Sequence, residues 1–230
     1  MSAKADGRMK RWQEQRWILD AVIRTVGIEW DQGRVGYGSA PGGPQSVTEF
    51  RATAARIKRV GDFVREFSNT AKRREAKAEN FEAEERLLTA RGSWLGASLL
   101  WAAARWPIFE TNEELEHLEQ RMNHCFAKYI ELETRPIEIV RIPFQGKQLP
   151  AYLHLPHAPA PGETFPCCIN IPGMDSSKET GVMMHGDAYL ERGMAVLSID
   201  GPGQAESCAL GIHVTENNHM EAAVNVVDWL

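Results

Sequence analysis

The chain has 230 residues, of which 43% are hydrophobic and 25% charged, and its 26 Lys and Arg stand against 31 Asp and Glu for a net charge of −5. That length holds one large domain or two modest ones, the composition excludes global disorder, and the acidic balance argues against a general polyanion binder, so no nucleic-acid partner is expected. The opening MSAKADGRMKRW lacks a signal-peptide core and WLGASLLWAAA is far short of a membrane span, so the expected location is cytoplasmic, with no membrane engaged.

The first 135 residues read as helix. RWQEQRWILDAVIRTV places Trp12, Trp17, Ile18, Val22 and Val26 near one face. The glycine-rich GIEWDQGRVGYGSAPGGPQ is expected to be an irregular loop. Ser46 and Glu49 then form a capping box that opens a long helical region. Its middle, NTAKRREAKAENFEAEERL, alternates charges that nearly cancel, which favours a solvated helix face over a nucleic-acid patch. SWLGASLLWAAARW is a small-residue helix that must be buried, ended by Pro107. Thr111 and Glu114 form a second capping box at the start of NEELEHLEQRMNHCFAKYIEL.

Near ETRPIEIV both charge and period change. Residues 1–135 carry 22 Lys and Arg against 20 Asp and Glu, and residues 136–230 carry 4 against 11, a step that marks a domain boundary. IEIVRIPF and LPAYLHL, joined by QGKQ, make a β-hairpin. CCINI has the apolar run of a strand covered on both faces. A helix through MMHGDAYLERG, a second buried strand MAVLSI and the helical spacing of MEAAVNVVDWL complete a strand–helix–strand–helix series, the pattern of a parallel sheet in an α/β fold. Cys125, Cys167, Cys168 and Cys208 have neither C-x-x-C spacing nor disulfide density and are expected as free thiols.

Two loops follow the buried strands. In DGPGQAE, Gly201 and Gly203 precede Glu206, where a dinucleotide fingerprint needs a third glycine, and Pro202 removes a backbone donor. A phosphate cradle is therefore disfavoured. In INIPGMDSSKE, Gly173 permits a tight turn and the Met174 N–H is a candidate donor to a developing oxyanion. The competing reading is a plain helix start capped by Asp175 or Ser176.

In this order the segments ARGSWLGASLLWAAARWPIF, VRIPFQGKQLPAYLHLP, PGMDSSKE, RGMAVLSIDGPGQAES and AAVNVVDWL resemble the α/β-hydrolase family of 2,6-dihydroxypseudooxynicotine hydrolase, the fungal polyketide-shortening hydrolases and the fermentation–respiration switch protein. The resemblance covers most of residues 85–230. It implies a helical cap domain, residues 1–135, over an α/β-hydrolase core beginning with residues 136–230, and cleavage of an ester or of a carbon–carbon bond beside a ketone by a Ser–Asp–His triad. It implies a small-molecule carbonyl or ester substrate, neither metal nor organic cofactor, and an assembly that includes homodimers. Carried onto this chain, it places the oxyanion hole at Gly173 and Met174, with Lys178 and Glu179 shaping that loop. Substrate contacts are expected from Asp175, Ser176, Asp200 and Trp106, with Trp94 and Trp101 either beside Trp106 or in the core. Two departures are Pro172, where the family has glycine, and Ala205, where it has the last glycine of G-P-G-Q-G.

The nucleophile elbow G-x-S-x-G occurs nowhere in the 230 residues. Of the histidines, His185, His213 and His219 lie on or beside helices and are poor triad candidates. The chain is therefore expected to carry the cap and half the sheet, with the serine outside it. The rival expectation is a non-catalytic binding or regulatory protein, or an inactive truncated hydrolase.

Overall fold

The computed structural model describes residues 8–108, 110–173 and 175–230, excluding the side chains of residues 8–15 and 182–186. The helices α1 (Arg8–Val26), α2 (Gln32–Ser39), α3 (Gly43–Ala54), α4 (Phe63–Ala83), α5 (Leu87–Arg105) and α6 (Glu113–Glu131) precede the sheet. The small-residue helix α5 packs between α4 and α6, and Trp94 and Trp101 are each 1% exposed. Their indole N–H groups do not go unpaired: Trp94 Nε1 donates to Glu82 at 3.0 Å and Trp101 Nε1 to Glu75 at 2.5 Å. Both tryptophans belong to the helical core.

Several local expectations need correction. The glycine-rich stretch is not a loop, because it forms α2 and the start of α3. Asp31 caps α2 by accepting the Arg34 N–H. A Cβ on Gly38 would lie 3.1 Å from the Trp106 ring, so glycine lets α2 rest on that indole, and packing overrides a propensity cost of about 1 kcal/mol. The Ser46 capping box fails because α3 begins at Gly43, leaving Ser46 Oγ buried inside the helix without a partner. At α6 the cap is Asn112, one residue after Thr111, and its side chain accepts the Leu115 N–H at 2.8 Å. The expected apolar face of α1 is rotated: Trp17 and Val26 are exposed, and Leu19 and Ile23 pack inward; the Trp12 side chain lies outside the described residues. On α4 the charges are not all solvated. Arg74 and Glu75 are buried, paired with Glu49 and Arg121 respectively.

The strands β1 (Ile137–Phe144), β2 (Lys147–His154), β3 (Cys167–Asn170) and β4 (Ala195–Ile199) form one sheet in the order β1-β2-β4-β3. The hairpin turns at Gln145 and Gly146, with φ of 47° and 73°, the two positive values that a type I′ turn requires. β2 pairs antiparallel with β4, and β3 lies parallel to β4 after the crossover helix α7 (Lys178–Leu190). Every residue of β4 is buried. β3 is only half-buried, contrary to the expectation from CCINI, because it is an edge strand in this sheet. The short α8 (Ala205–Ala209) and α9 (Asn218–Trp229) follow, with α9 against β1. No helix among the described residues is long and apolar enough to cross a membrane.

Candidate active site

Because β3 and β4 are parallel neighbours, with Asn170 beside Ser198, their C-terminal ends deliver two loops to one place. Ligands of open α/β sheets bind there. One loop runs from Ile171 to Ser177 and the other from Asp200 to Gln204. Gln204 ties them together. Its Oε1 accepts the Gly201 N–H at 2.7 Å, and its Nε2 donates to the Pro172 carbonyl and, at 3.3 Å, to that of Gly173. Gly203 has φ of 81°, and a Cβ there would lie 3.0 Å from Val214, so the turn needs glycine twice over. Ala205, which the resemblance singles out, has φ of 28°. That is a strained value for an L-residue.

Beneath the loops lies a buried ionic cluster. The Lys178 side chain is 1% exposed, and its Nζ lies 2.6 Å from Glu179, 2.8 Å from Glu206 and 3.2 Å from Asp200. It also sits 4.9 Å from the centre of the Tyr152 ring, whose hydroxyl donates to Glu179 at 3.1 Å. Asp200 is fully buried. Its Oδ1 accepts the Lys178 N–H at 2.7 Å, its Oδ2 accepts the Glu206 N–H at 3.3 Å, and its carbonyl accepts from Ser207 at 2.7 Å. Arg141 pairs with Glu206 from the more exposed side at 2.6 Å, so two cations face three carboxylates and one negative charge is left over. Burial, opposed by Lys178 and reinforced by Glu179, pushes Asp200 up to about 6. Lys178 is held well above the usual lysine range, because the surrounding carboxylates outweigh its burial. Glu179 ends below the usual range, since Lys178 overcomes the upward push of burial.

The helical region reaches the first loop through Arg34 on α2. Its Nε donates to Asp175 at 2.5 Å, its Nη1 pairs with Asp31 at 3.0 Å, and its guanidinium lies 5.7 Å from the centre of the Trp106 ring. Trp106 and Arg34 also line a small cavity of about 70 Å³ among the helices. Ser176 folds back on the same loop, donating its N–H at 3.2 Å and its hydroxyl at 3.3 Å to the Gly173 carbonyl. Neither Asp175 nor Ser176 caps α7. Ser177 does, in a capping box with Thr180.

Among the sequence-nominated residues, the structure brings Gly173, Asp175, Ser176, Lys178, Glu179 and Asp200 together, and connects Trp106 to them through Arg34. Trp94 and Trp101 stand apart, and Met174 and the His185 side chain lie outside the described residues. Three participants escaped sequence reading: Gln204, Tyr152 and Arg34. Gln204 follows directly on DGPG, so its position was a usable signal. Arg34 is 141 residues from Asp175, and nothing local announces the pair. Among the described residues no group of His, Cys, Asp and Glu is arranged to hold a metal ion.

Residues 46–220 match the family described as FrsA-like, esterase FrsA-like. The chain is 32% identical over 210 residues to the alpha/beta hydrolase ucsC of Acremonium sp, covering 85% of this chain and 40% of that protein. It is 29% identical over 141 residues to the 2,6-dihydropseudooxynicotine hydrolase of Paenarthrobacter nicotinovorans, covering 61% of this chain and 35% of that one. It thus spans less than half the length of these curated relatives. The crystal structure of the 2,6-dihydroxy-pseudo-oxynicotine hydrolase superposes with a TM-score of 0.67 at 24% identity, over 86% of this chain and 53% of that one, a likeness of fold.

Proposed function

The chain belongs to the FrsA-like esterase family of α/β-hydrolases, and we infer that it forms the cap and the first part of the core of a serine hydrolase acting on a small-molecule carbonyl compound. Residues 1–135 are the cap and residues 136–230 open the core. The nucleophilic serine, its acid and its histidine come from outside these residues. The serine gives its proton to the histidine and attacks the carbonyl carbon; the bond to the leaving group breaks, and the histidine returns that proton to it, so an ester expels an alcohol and a ketone expels the neighbouring carbon as a C–H group. Water releases the resulting acyl group as a carboxylic acid.

In this reading the Met174 N–H is one of the two donors to the oxyanion. The observation that carries it is the grip of Gln204 on the carbonyls of Pro172 and Gly173. That grip holds the Gly173 end of the loop from which the donor is offered. A preorganised donor of this kind contributes to rate without reorganising during reaction. Asp175 and Ser176 sit at the substrate side of the loop, Trp106 supports Arg34 behind it, and Asp200 positions the second loop from below. No cofactor takes part.

The test uses the intact protein with a p-nitrophenyl ester and a 1,3-diketone, alongside labelling by a fluorophosphonate. The expected result is turnover of at least one substrate and labelling of a serine in a G-x-S-x-G motif roughly 15–25 residues beyond Leu230, one helix end plus one strand away. Gln204→Ala loosens the donor's loop without removing the donor, so it should lower kcat by about 10- to 100-fold with KM little changed, less than the roughly 100- to 1000-fold loss on deleting an oxyanion donor outright. A folded intact protein that neither turns over nor labels supports the binding or regulatory reading instead.

A further inference from the structure

The charged middle of α4 plays no part in the candidate active site, and together with α3 it walls a small cleft of about 140 Å³. Arg56, just beyond the end of α3, lines it with Thr70, Arg73, Arg74 and Lys77 of α4. Glu49 of α3 is the one carboxylate among the described residues that line it.

In this cleft like charges meet. Arg56 Nη2 and Arg73 Nη2 both donate to the Thr70 hydroxyl oxygen, at 3.0 and 2.9 Å, which brings two guanidinium groups onto one neutral atom. Arg56 is fixed there by further bonds to the Ala52 carbonyl and to Glu66, each at 2.8 Å. Arg73 has no carboxylate partner among the described residues, and its Nε and Nη1 bond to none of them. Arg74 and Lys77 share Glu49, at 3.1 and 3.6 Å. Glu66 is likewise divided, between Arg56 and Arg65. Setting Glu49 and Glu66 against Arg56, Arg73, Arg74 and Lys77 leaves two positive charges over. Charges of one sign held this close repel, and an anion seated among them turns that repulsion into attraction.

The groups open to such a ligand are on the surface. Arg73 and Lys77 are exposed, and as residues four apart on α4 they share one face of the helix. The cleft is smaller than pockets that enclose whole metabolites, so it suits one compact anionic group. Arginine forks match the oxygens of phosphate two at a time, and a phosphate near neutral pH carries up to about two negative charges, the surplus found here.

We propose that the cleft between α3 and α4 binds a phosphate group, seated on Arg73 and Lys77 and faced by Arg56. The site is independent of the hydrolase reading, since no residue of either active-site loop lines it.

The experiment measures thermal unfolding of the intact protein in sodium phosphate, phenyl phosphate or sodium acetate, each against sodium chloride at equal ionic strength to cancel general screening. A ligand that binds only the folded state raises the midpoint with its concentration. Phosphate should do so saturably, and acetate should act about tenfold more weakly, the worth of a lost charge-assisted hydrogen bond. A response to phosphate at least as strong as that to phenyl phosphate supports capture of the free ion, and a stronger response to phenyl phosphate supports a phosphorylated small molecule. Arg73→Gln should abolish the response while leaving the phosphate-free midpoint unchanged or higher, because it removes a cation that no carboxylate balances. Lys72→Gln removes the same charge from an exposed neighbour that does not line the cleft, and should respond like wild type. The proposal is overturned if phosphate acts no more strongly than chloride, if acetate matches phosphate, or if the Arg73 and Lys72 variants respond alike.

Discussion

Replacing Lys178 with methionine removes the buried cation from the pocket it shares with Glu179, Asp200 and Glu206, all within 3.2 Å of its Nζ, and leaves Arg141, more exposed and paired with Glu206 at 2.6 Å, as the remaining positive charge. Breaking a buried ion pair by deleting one partner costs about 3–5 kcal/mol, because the remaining charges lose compensation where water cannot replace it. The carboxylates have one escape, which is to take up protons. Asp200 already stands at about 6, against an ordinary 3.8. A carboxyl raised in the folded state contributes stability that is complete below its unfolded pKa and is lost as pH rises through its folded pKa. Without Lys178 that folded pKa climbs further, so the variant goes on losing stability at pH values where the wild-type protein has already levelled off. At about 1.4 kcal/mol per pH unit per group, the penalty should grow by about 1–3 kcal/mol between about pH 6 and about pH 8. Urea unfolding of both proteins at the two pH values, with a shared m-value, measures it. The double variant Lys178→Met with Asp200→Asn should recover a substantial part of the loss, since it deletes one of the stranded charges and keeps an acceptor for the Lys178-position N–H. An equal loss at both pH values, together with additive behaviour of the two substitutions, would refute the reasoning.

Two further outcomes follow from backbone and burial. Ala205→Gly should stabilise the protein by about 1 kcal/mol, visible as a higher thermal midpoint, because φ of 28° strains alanine and not glycine; an unchanged or lower midpoint counts against it. His154, held at about 3 against an ordinary 6.5, is a depressed group whose contribution is complete above the unfolded value and lost as pH falls toward the folded one. The wild-type protein should therefore lose about 2 kcal/mol relative to His154→Gln between about pH 7 and about pH 5, read as a difference in urea midpoints, and parallel curves would contradict the burial argument.

What the sequence disclosed and what it concealed divide along a physical line. Strand and helix succession from Ile137 onward was legible because apolar period and turn chemistry are local, and so was the pairing of PGMD with DGPG, which follows from two parallel strands in series. The buried fate of α5 was likewise written in its own composition. The glycine-rich segment misled because glycine reads as a breaker, whereas Gly38 serves the approach of α2 to Trp106, a partner about seventy positions away in the chain. The capping boxes misled for a related reason: S-x-x-E at Ser46 is satisfied as a pattern, but the helix had already begun at Gly43. CCINI reads as a strand covered on both faces, and only the strand order puts it at an edge.

The side chains that organise the candidate site share one property, which is that each acts on backbone or charge far from itself in sequence. Gln204 reaches back 32 residues to the Pro172 carbonyl, Asp200 reaches 22 to the Lys178 N–H, and Arg34 reaches 141 to Asp175. The first two ties join the loops of adjacent parallel strands, so they fix the loops relative to the sheet. The third joins a loop to a helix that packs against Trp106. A shift of α2 against the sheet would therefore be felt first at Asp175, two residues after Gly173, while Gln204 and Lys178 hold the other side of the same loop. The loop thus has a rigid anchor on the sheet side and a half-exposed ionic one on the helix side, and the weaker of the two is the one that ties it to the helices.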